Sequence, residues 1–159
     1  MNGMLALDTV SATMAEYGTA EQVRKNRIRI TTPPQKLLGA IKAARHLLGC
    51  DRLITISCAD QGATFGLFYH MTGPHRTIIS IALDVPRESP QVLTVSDILP
   101  PAAIYERQIH DLFGIVFTGH PGLKKLMLNE DWPEGEYPLR KDWKPKKENS
   151  YGGVSPGAA

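Results

Sequence analysis

From Gly114 onward, glycine and proline recur so often that no long helix or strand can form, and this limits the fold more than any other feature. Gly114, Gly119, Pro121, Gly122, Pro133, Gly135 and Pro138 punctuate a stretch that runs on to Asp142. The residues before it, from Ile104, read as a helix. Ile104, Gln108, Asp111 and Ile115 follow one track, and Glu106, Arg107, His110 and Asp111 gather ionisable groups within about two turns. Gly114 marks the helix end. The irregular part still carries Leu123, Leu126, Met127, Leu128, Trp132, Tyr137, Leu139 and Trp143. A segment so rich in large apolar groups is expected to lie on a surface, because a free polar tail would not carry them.

The remainder of the chain supplies that surface. Its 159 residues, 42% of them hydrophobic, suffice for one domain with a self-sufficient core. A net charge of only +2 gives no bulk basic field for nucleic acid. Two cysteines, Cys50 and Cys58, are too few for a disulfide framework or a four-thiolate metal site, and read as core thiols in a reducing compartment. Residues 1–14 lack a basic start and have Asp8 within their apolar run, so they make a poor signal peptide. No apolar run reaches the roughly 18 residues needed to span a bilayer, so a soluble protein is expected, which an assembly on a membrane can still hold.

In chain order, residues 4–17 predict a short helix stopped by Gly18. Residues 23–31 predict one strand whose second half sets Ile28 and Ile30 against Arg27 and Arg29 on a wet face. Such a basic stripe could meet RNA phosphate, but no aromatic platform accompanies it, and a solvated face is preferred. Thr32-Pro33-Pro34 reads as a capped helix start, and Leu37, Leu38, Ile41, Ala44, Leu47 and Leu48 repeat at helical spacing up to Gly49. His46, among basic neighbours, reads as surface. Strands follow at 52–59, 64–72 and 77–85, joined by Asp60-Gln61-Gly62 and by a Gly73-Pro74 turn. Connections this short imply antiparallel neighbours. Residues 92–95 add an edge strand, with Ser96 or Asp97 capping the turn to Pro100-Pro101. The layout is α+β: a mostly antiparallel sheet with a helix packed across it, then a short helix and an extended C-terminal segment. It divides into an α+β domain (1–100), a docking helix and segment (101–143) and a polar tail (144–159).

Motifs of standard catalytic chemistry are missing. The chain has neither a G-x-S-x-G elbow nor a phosphate-cradling G-x-x-x-x-G-K. Glu106 and Asp111 are five apart, off a common helical face for acid–base work. His70 and His75 flank one turn and could approach each other, yet no third metal ligand lies near. Glu106, His110 and His120 could be read as a ligand set, but polar anchors at a helix end and loop are the plainer reading.

Three blocks then carry a resemblance. Glu106-Arg107-Gln108-Ile109-His110-Asp111-Leu112-Phe113-Gly114, His120-Pro121-Gly122-Leu123 and Pro138-Leu139-Arg140-Lys141-Asp142 resemble, in order, the signature of the 30-kDa subunit family of respiratory complex I. The family also furnishes a subunit of membrane-bound energy-converting nickel–iron hydrogenases and of archaeal relatives that oxidise other reduced carriers. Gln108 stands where complex I members usually have a second glutamate, and Lys125 where many have arginine. With Glu130-Asp131-Trp132-Pro133-Glu134-Gly135, these departures look more like the hydrogenase branch than the NADH-dependent one.

The resemblance implies a part of an enzyme, with no catalytic residue, cofactor or metal of its own. Iron–sulfur clusters, and possibly a nickel–iron centre, would belong to partner subunits. Those partners would be a hydrogenase-like large subunit and an iron–sulfur small subunit, with membrane subunits reached indirectly and no nucleic acid. The location implied is peripheral, on the cytoplasmic side of the membrane. Its docking surface would use Glu106, Arg107, His110, Asp111, Phe113, Gly114, His120 and Pro121 from the first two blocks. Leu126, Met127, Trp132, Tyr137, Pro138, Leu139, Arg140, Lys141 and Asp142 would complete it. On this reading, truncation after Gly119 leaves a folded domain that no longer joins its complex. The readings left beside it are a nucleic-acid-binding module using Arg24, Arg27 and Arg29, and a small enzyme using His70 and His75 or His110 and His120.

Overall fold

The computed structural model describes residues 3–146. Of the expected polar tail only residues 144–146 therefore fall within it. Helix α1 (Leu7–Met14) buries Val10 and Met14 and ends in a turn whose Tyr17 and Gly18 amides both donate to the Met14 carbonyl. It is shorter than the helix expected from residues 4–17, although Leu5 and Tyr17 outside it also pack against the core.

Strands β1 (Thr19–Arg24) and β2 (Arg27–Thr31) form an antiparallel hairpin turned at Lys25-Asn26, in place of the single strand expected. The alternation of Val23 with Asn26 is misleading because Asn26 belongs to the turn itself. After β2, a 3₁₀ turn (Pro34–Lys36) leads into α2 (Leu37–His46), which buries Leu37, Ala40, Ile41, Ala43 and Ala44. Thr32 does not cap that turn; its hydroxyl donates to the Tyr17 carbonyl at 2.7 Å and ties the hairpin to the end of α1. Gly49 adopts φ +67° as the chain leaves the helix region, a left-handed conformation suited to glycine.

Strands β3 (Arg52–Asp60), β4 (Thr64–Thr72) and β5 (Ile78–Pro86) form the expected antiparallel meander. The sheet order is β1-β2-β5-β4-β3, with β2 and β5 parallel. Since β3 and β5 both run against β4, β3 is also parallel to β2, and α2 carries the chain across the sheet between them. Central β5 buries Ile79, Ile81, Leu83 and Val85 on the helix side, and Ser80 and Ala82 are also shielded on the other. A near-continuous apolar run is what a central strand with a parallel neighbour needs. The resulting fold is α+β, its sheet mixed and mostly antiparallel.

β6 (Gln91–Leu93) leaves that sheet and pairs in parallel with β7 (Val116–Thr118). Between them runs α3 (Ala102–Phe113), packed against β3, with Ala102, Glu106, Ile109, Asp111 and Phe113 buried. This helix opens directly from Pro101, without a side-chain cap. Residues 119–143 contain turns but no helix or strand, and they fold back over α3 and the β3–β4 end of the sheet as a strap. No helix of the described residues is long and apolar enough to cross a membrane.

Candidate functional site

The site is built on α3. Arg107 and Asp111, one turn apart, both face the strap. The Arg107 guanidinium donates from Nε to the Lys124 carbonyl (3.0 Å) and from Nη2 to the Lys125 carbonyl (2.8 Å). Asp111 Oδ2 accepts the next three amides, of Leu126 (2.6 Å), Met127 (2.8 Å) and Leu128 (3.2 Å). A cation thus takes the carbonyls and an anion the amides of adjoining peptide units. Consecutive amides aimed at one carboxylate make an anion nest, here filled by the chain's own aspartate.

The opposite face of α3 carries Glu106, fully buried. Its Oε1 accepts the Val95 amide at 2.8 Å, and its Oε2 accepts the Thr94 hydroxyl. Burial pushes its carboxyl above the usual range, opposed by those two hydrogen bonds. His120 Nε2 lies 4.0 Å from Oε2 but donates to the Ala103 carbonyl (2.9 Å), while Nδ1 accepts the Gly122 amide (3.0 Å). These contacts fix the ring proton on Nε2 and pin the start of the strap to α3. His110 Nδ1 pairs with the Ile115 carbonyl at 2.9 Å, far removed in role from His120.

Gly114 ends α3 at φ +77°, its amide donating to the His110 carbonyl at 2.8 Å. A Cβ here would meet the Tyr137 ring at 2.4 Å and Arg140 Nη2 at 2.7 Å, so both backbone angle and space demand glycine. Arg140 donates from Nε to the Phe113 carbonyl (2.7 Å) and lies over the Tyr137 ring at 4.4 Å and near the Phe65 ring at 5.1 Å. Phe113 meets Phe65 edge-on, with centroids 6.0 Å apart.

A second clasp holds the far end of the strap. Asp60, at the end of β3, accepts the Gly62 amide (2.9 Å), the Lys141 amide (2.8 Å) and Arg87 Nη1 (2.7 Å). The Arg87 guanidinium and the Lys141 amide hold its carboxyl well below the usual carboxylate range. Arg87 also pairs through Nη2 with Asp142. Trp132 and Trp143 stack at 5.8 Å and are both half-buried, and both indole N–H groups reach Glu136. Lys125 Nζ closes the intervening loop onto the Trp132 carbonyl at 2.6 Å.

The residues expected to face a partner therefore divide. Glu106, Asp111, Phe113 and Gly114 are buried and engaged within this chain. That corrects the expectation of an outward-facing Glu106 and Asp111: internal donors, not a neighbour's, satisfy both carboxylates. Arg107, His110, His120, Trp132, Tyr137, Pro138 and Arg140 are half-buried, most of them gripping the strap or gripped by it. Lys141 and Asp142 are exposed while still joined to the Asp60–Arg87 clasp. Pro121, Leu126, Met127 and Leu139 remain outward, Met127 at 58% and Leu139 at 52% exposure. Asp60, Arg87, Thr94 and Phe65 escape sequence reasoning. The Asp60-Gln61-Gly62 turn is visible in the sequence, but its second role as an anchor has no local signal.

The other candidate sites come apart. His70 lies on the sheet between Ser57 and Ser80, whereas His75 is buried against the Leu48 carbonyl. Among the described residues no three metal-ligating side chains converge.

An α+β sheet with helices on one side and a strap locked over its end defines the structural class. The chain belongs to the family of the 30-kDa subunit of respiratory-chain NADH dehydrogenase, whose model matches residues 30–149 and so takes in the meander, α3 and the strap. One relative, a subunit of the F(420)H(2) dehydrogenase of Methanosarcina mazei, is 33% identical over 120 residues, 74% of this chain and 75% of that protein. A second, from the NADH-quinone oxidoreductase of Phocaeicola vulgatus, is 36% identical over 118 residues, 72% of this chain but 22% of that protein. A third, from the NADH-quinone oxidoreductase of Herpetosiphon aurantiacus, is 37% identical over 93 residues, 58% of this chain and 53% of that protein. The chain thus spans about a fifth of the first of these NADH-quinone relatives and about half of the second.

Among solved structures, a chain of the membrane-bound sulfane sulfur reductase, an archaeal respiratory membrane complex, superposes with TM-score 0.75. Its 24% identity, over 86% of this chain and 84% of that one, makes this a likeness of fold. A trypsin-resistant fragment of Nqo5 gives TM-score 0.61 at 25% identity, covering 73% of this chain and 97% of the fragment. The family is one of subunits of complex I-like or F(420)H(2) dehydrogenase respiratory complexes.

Proposed function

We propose that this chain is a structural and assembly subunit, free of cofactors, in a membrane-bound, redox-driven ion-pumping complex. It docks through α3 and the strap against a hydrogenase-like large subunit in the peripheral arm, beside an iron–sulfur small subunit, on the cytoplasmic side. The observation carrying this reading is that Arg107, Asp111 and Asp60 take up the strap's backbone groups at 124–128 and 141 while Leu126, Met127 and Leu139 point outward. A segment held that firmly with its apolar groups in water has the form of an interface. Burial pushes the Cys50 and Cys58 thiols up to about 12, so both are unreactive thiols at neutral pH.

Within the family we favour an energy-converting hydrogenase or an archaeal carrier dehydrogenase, on the ERQIHDLFG form of α3 and the match to the F(420)H(2) dehydrogenase relative over three-quarters of both chains. The second reading is the equivalent subunit of an NADH:quinone oxidoreductase, favoured by the relatives that bear that name. Affinity purification of the tagged chain from solubilised membranes tests both. A large subunit and an iron–sulfur small subunit are expected as companions; a nickel–iron centre without an NADH module selects the first reading. Recovery of the chain alone would overturn the proposal.

A further inference from the structure

The five-stranded sheet is covered on one side only. The helices bury Ile28, Ile30, Leu67, Tyr69, Ile79 and Ile81, and strand alternation puts the intervening residues on the opposite face. That face is organised. The Phe68 and His70 rings stack with an interplanar angle of 6° and centroids 6.4 Å apart. His70 is held upright from both sides, by Ser57 Oγ at 2.9 Å and Ser80 Oγ at 2.8 Å. Across β5 from them, β2 presents Arg27 and Arg29. Arg29 lies 5.9 Å from the Phe68 ring centroid and pairs with Glu21 at 3.2 Å. Arg27 has no carboxylate partner among the described residues.

We infer that this open sheet face is a second docking surface, separate from α3 and the strap, for a carboxylate-bearing segment of a neighbouring subunit. The inference rests on the reading of the chain as a subunit. Arg27, like Arg24 opposite it in the hairpin, has no carboxylate among the described residues, and its guanidinium fork suits one. The stacked Phe68–His70 pair, its rotamers already fixed, is the rigid shelf beside it, so docking orders little. Charge selects the occupant. Glu21 is taken up by Arg29 and Asp84 lies six residues along β5 from the position beside Arg27, so one carboxylate fits at Arg27 while an extended phosphate chain would run onto Asp84; a single ring pair is also a poor platform for a run of bases. A second copy would set arginines against arginines.

The test places a photo-crosslinking benzoylphenylalanine at Phe68, or at Met127, in the tagged full-length chain produced in its own membrane. Both variants are expected to co-purify with companions. The Phe68 probe is expected to capture a polypeptide segment containing Asp or Glu, and adding Arg27→Glu is expected to lower that yield about tenfold, as loss of a charge-assisted contact would. Capture from Met127 but none from Phe68 would overturn the inference and leave the subunit reading standing. Capture of nucleic acid, or of a second copy, from Phe68 would also overturn it. Failure of both probes together with no companions would bring down the subunit reading and this inference with it.

Discussion

Arg87 Nη1 and Asp60 Oδ2 lie 2.7 Å apart at the end of the sheet, and the same Asp60 oxygen accepts the Lys141 amide. Asp60 is almost wholly shielded and Arg87 largely so, with side chains 2% and 21% exposed. Two segments 81 residues apart therefore meet on one carboxylate. Asp60→Asn keeps the shape but weakens two contacts, and the expected cost is about 1–3 kcal/mol. Urea unfolding measures that loss. Limited proteolysis of residues 119–143 should show the strap cut faster, while an unchanged digestion pattern would speak against the clasp.

The pH response has two opposing parts. Asp60 titrates lower in the folded chain than unfolded, so its stabilisation is complete above the ordinary carboxylate range and fades as pH falls through that range toward the lowered value. Glu106 titrates higher when folded, so its favourable contribution is present below the ordinary range and disappears as pH rises through the raised value. Asp60→Asn should therefore flatten the acid limb of the stability curve. Glu106→Gln should flatten the limb above it, its amide oxygen still accepting the Val95 amide while its NH2 turns donor toward the Thr94 hydroxyl. Thermal unfolding of the two variants from acid to neutral pH separates them.

Gly114→Ala combines a left-handed backbone with a clash against Tyr137. The backbone alone costs about 1 kcal/mol, and displacement of the Tyr137–Arg140 stack adds to it, for an expected total of about 2–3 kcal/mol. A change in unfolding midpoint below half of that would mean that the strap yields easily.

Truncation after Gly119 should damage the domain as well as its assembly, contrary to the expectation from sequence. It strips the three amides from Asp111 and the carbonyls from Arg107, and it removes the Tyr137 and Arg140 side chains packed over Gly114, Phe113 and Phe65. A loss of about 3 kcal/mol or more is expected. Circular dichroism melting of the truncated chain decides the matter, and a melting temperature equal to that of the full chain would refute it.

Met127→Glu and Leu139→Glu act in the reverse sense. Both positions are outward, so folding stability should stay within about 0.5 kcal/mol of the parent. Co-purification with membrane companions should nevertheless be lost, because a charge then sits at the centre of the proposed contact. Retained association would move the interface elsewhere.

The meander is legible in the sequence because its strands are runs rich in apolar, β-branched and aromatic residues and each connection carries its own turn residues. α2 is legible from its three- and four-residue spacing. The parallel β2–β5 pairing is not, since it joins residues about fifty positions apart and leaves no local trace. Lys25-Asn26 does not announce itself as a turn, because the basic stripe runs straight through it. At the site, the three blocks fall on residues that grip the strap or belong to it, yet charge is a poor guide to an outward position. Glu106 and Asp111 are inside because the backbone amides of Val95 and of residues 126–128 come to them. Sequence spacing cannot announce amides delivered from a segment without regular structure.

The Arg107–Asp111 grip also bears on how assembly proceeds. With residues 124–128 already tethered, Leu126 and Met127 are presented in a fixed attitude before any companion arrives. On the proposed docking mode, joining would then be a rigid-body encounter, without the entropic penalty of coupled folding and binding. A chain so preorganised could be added late, its incorporation rate set by collision and not by refolding.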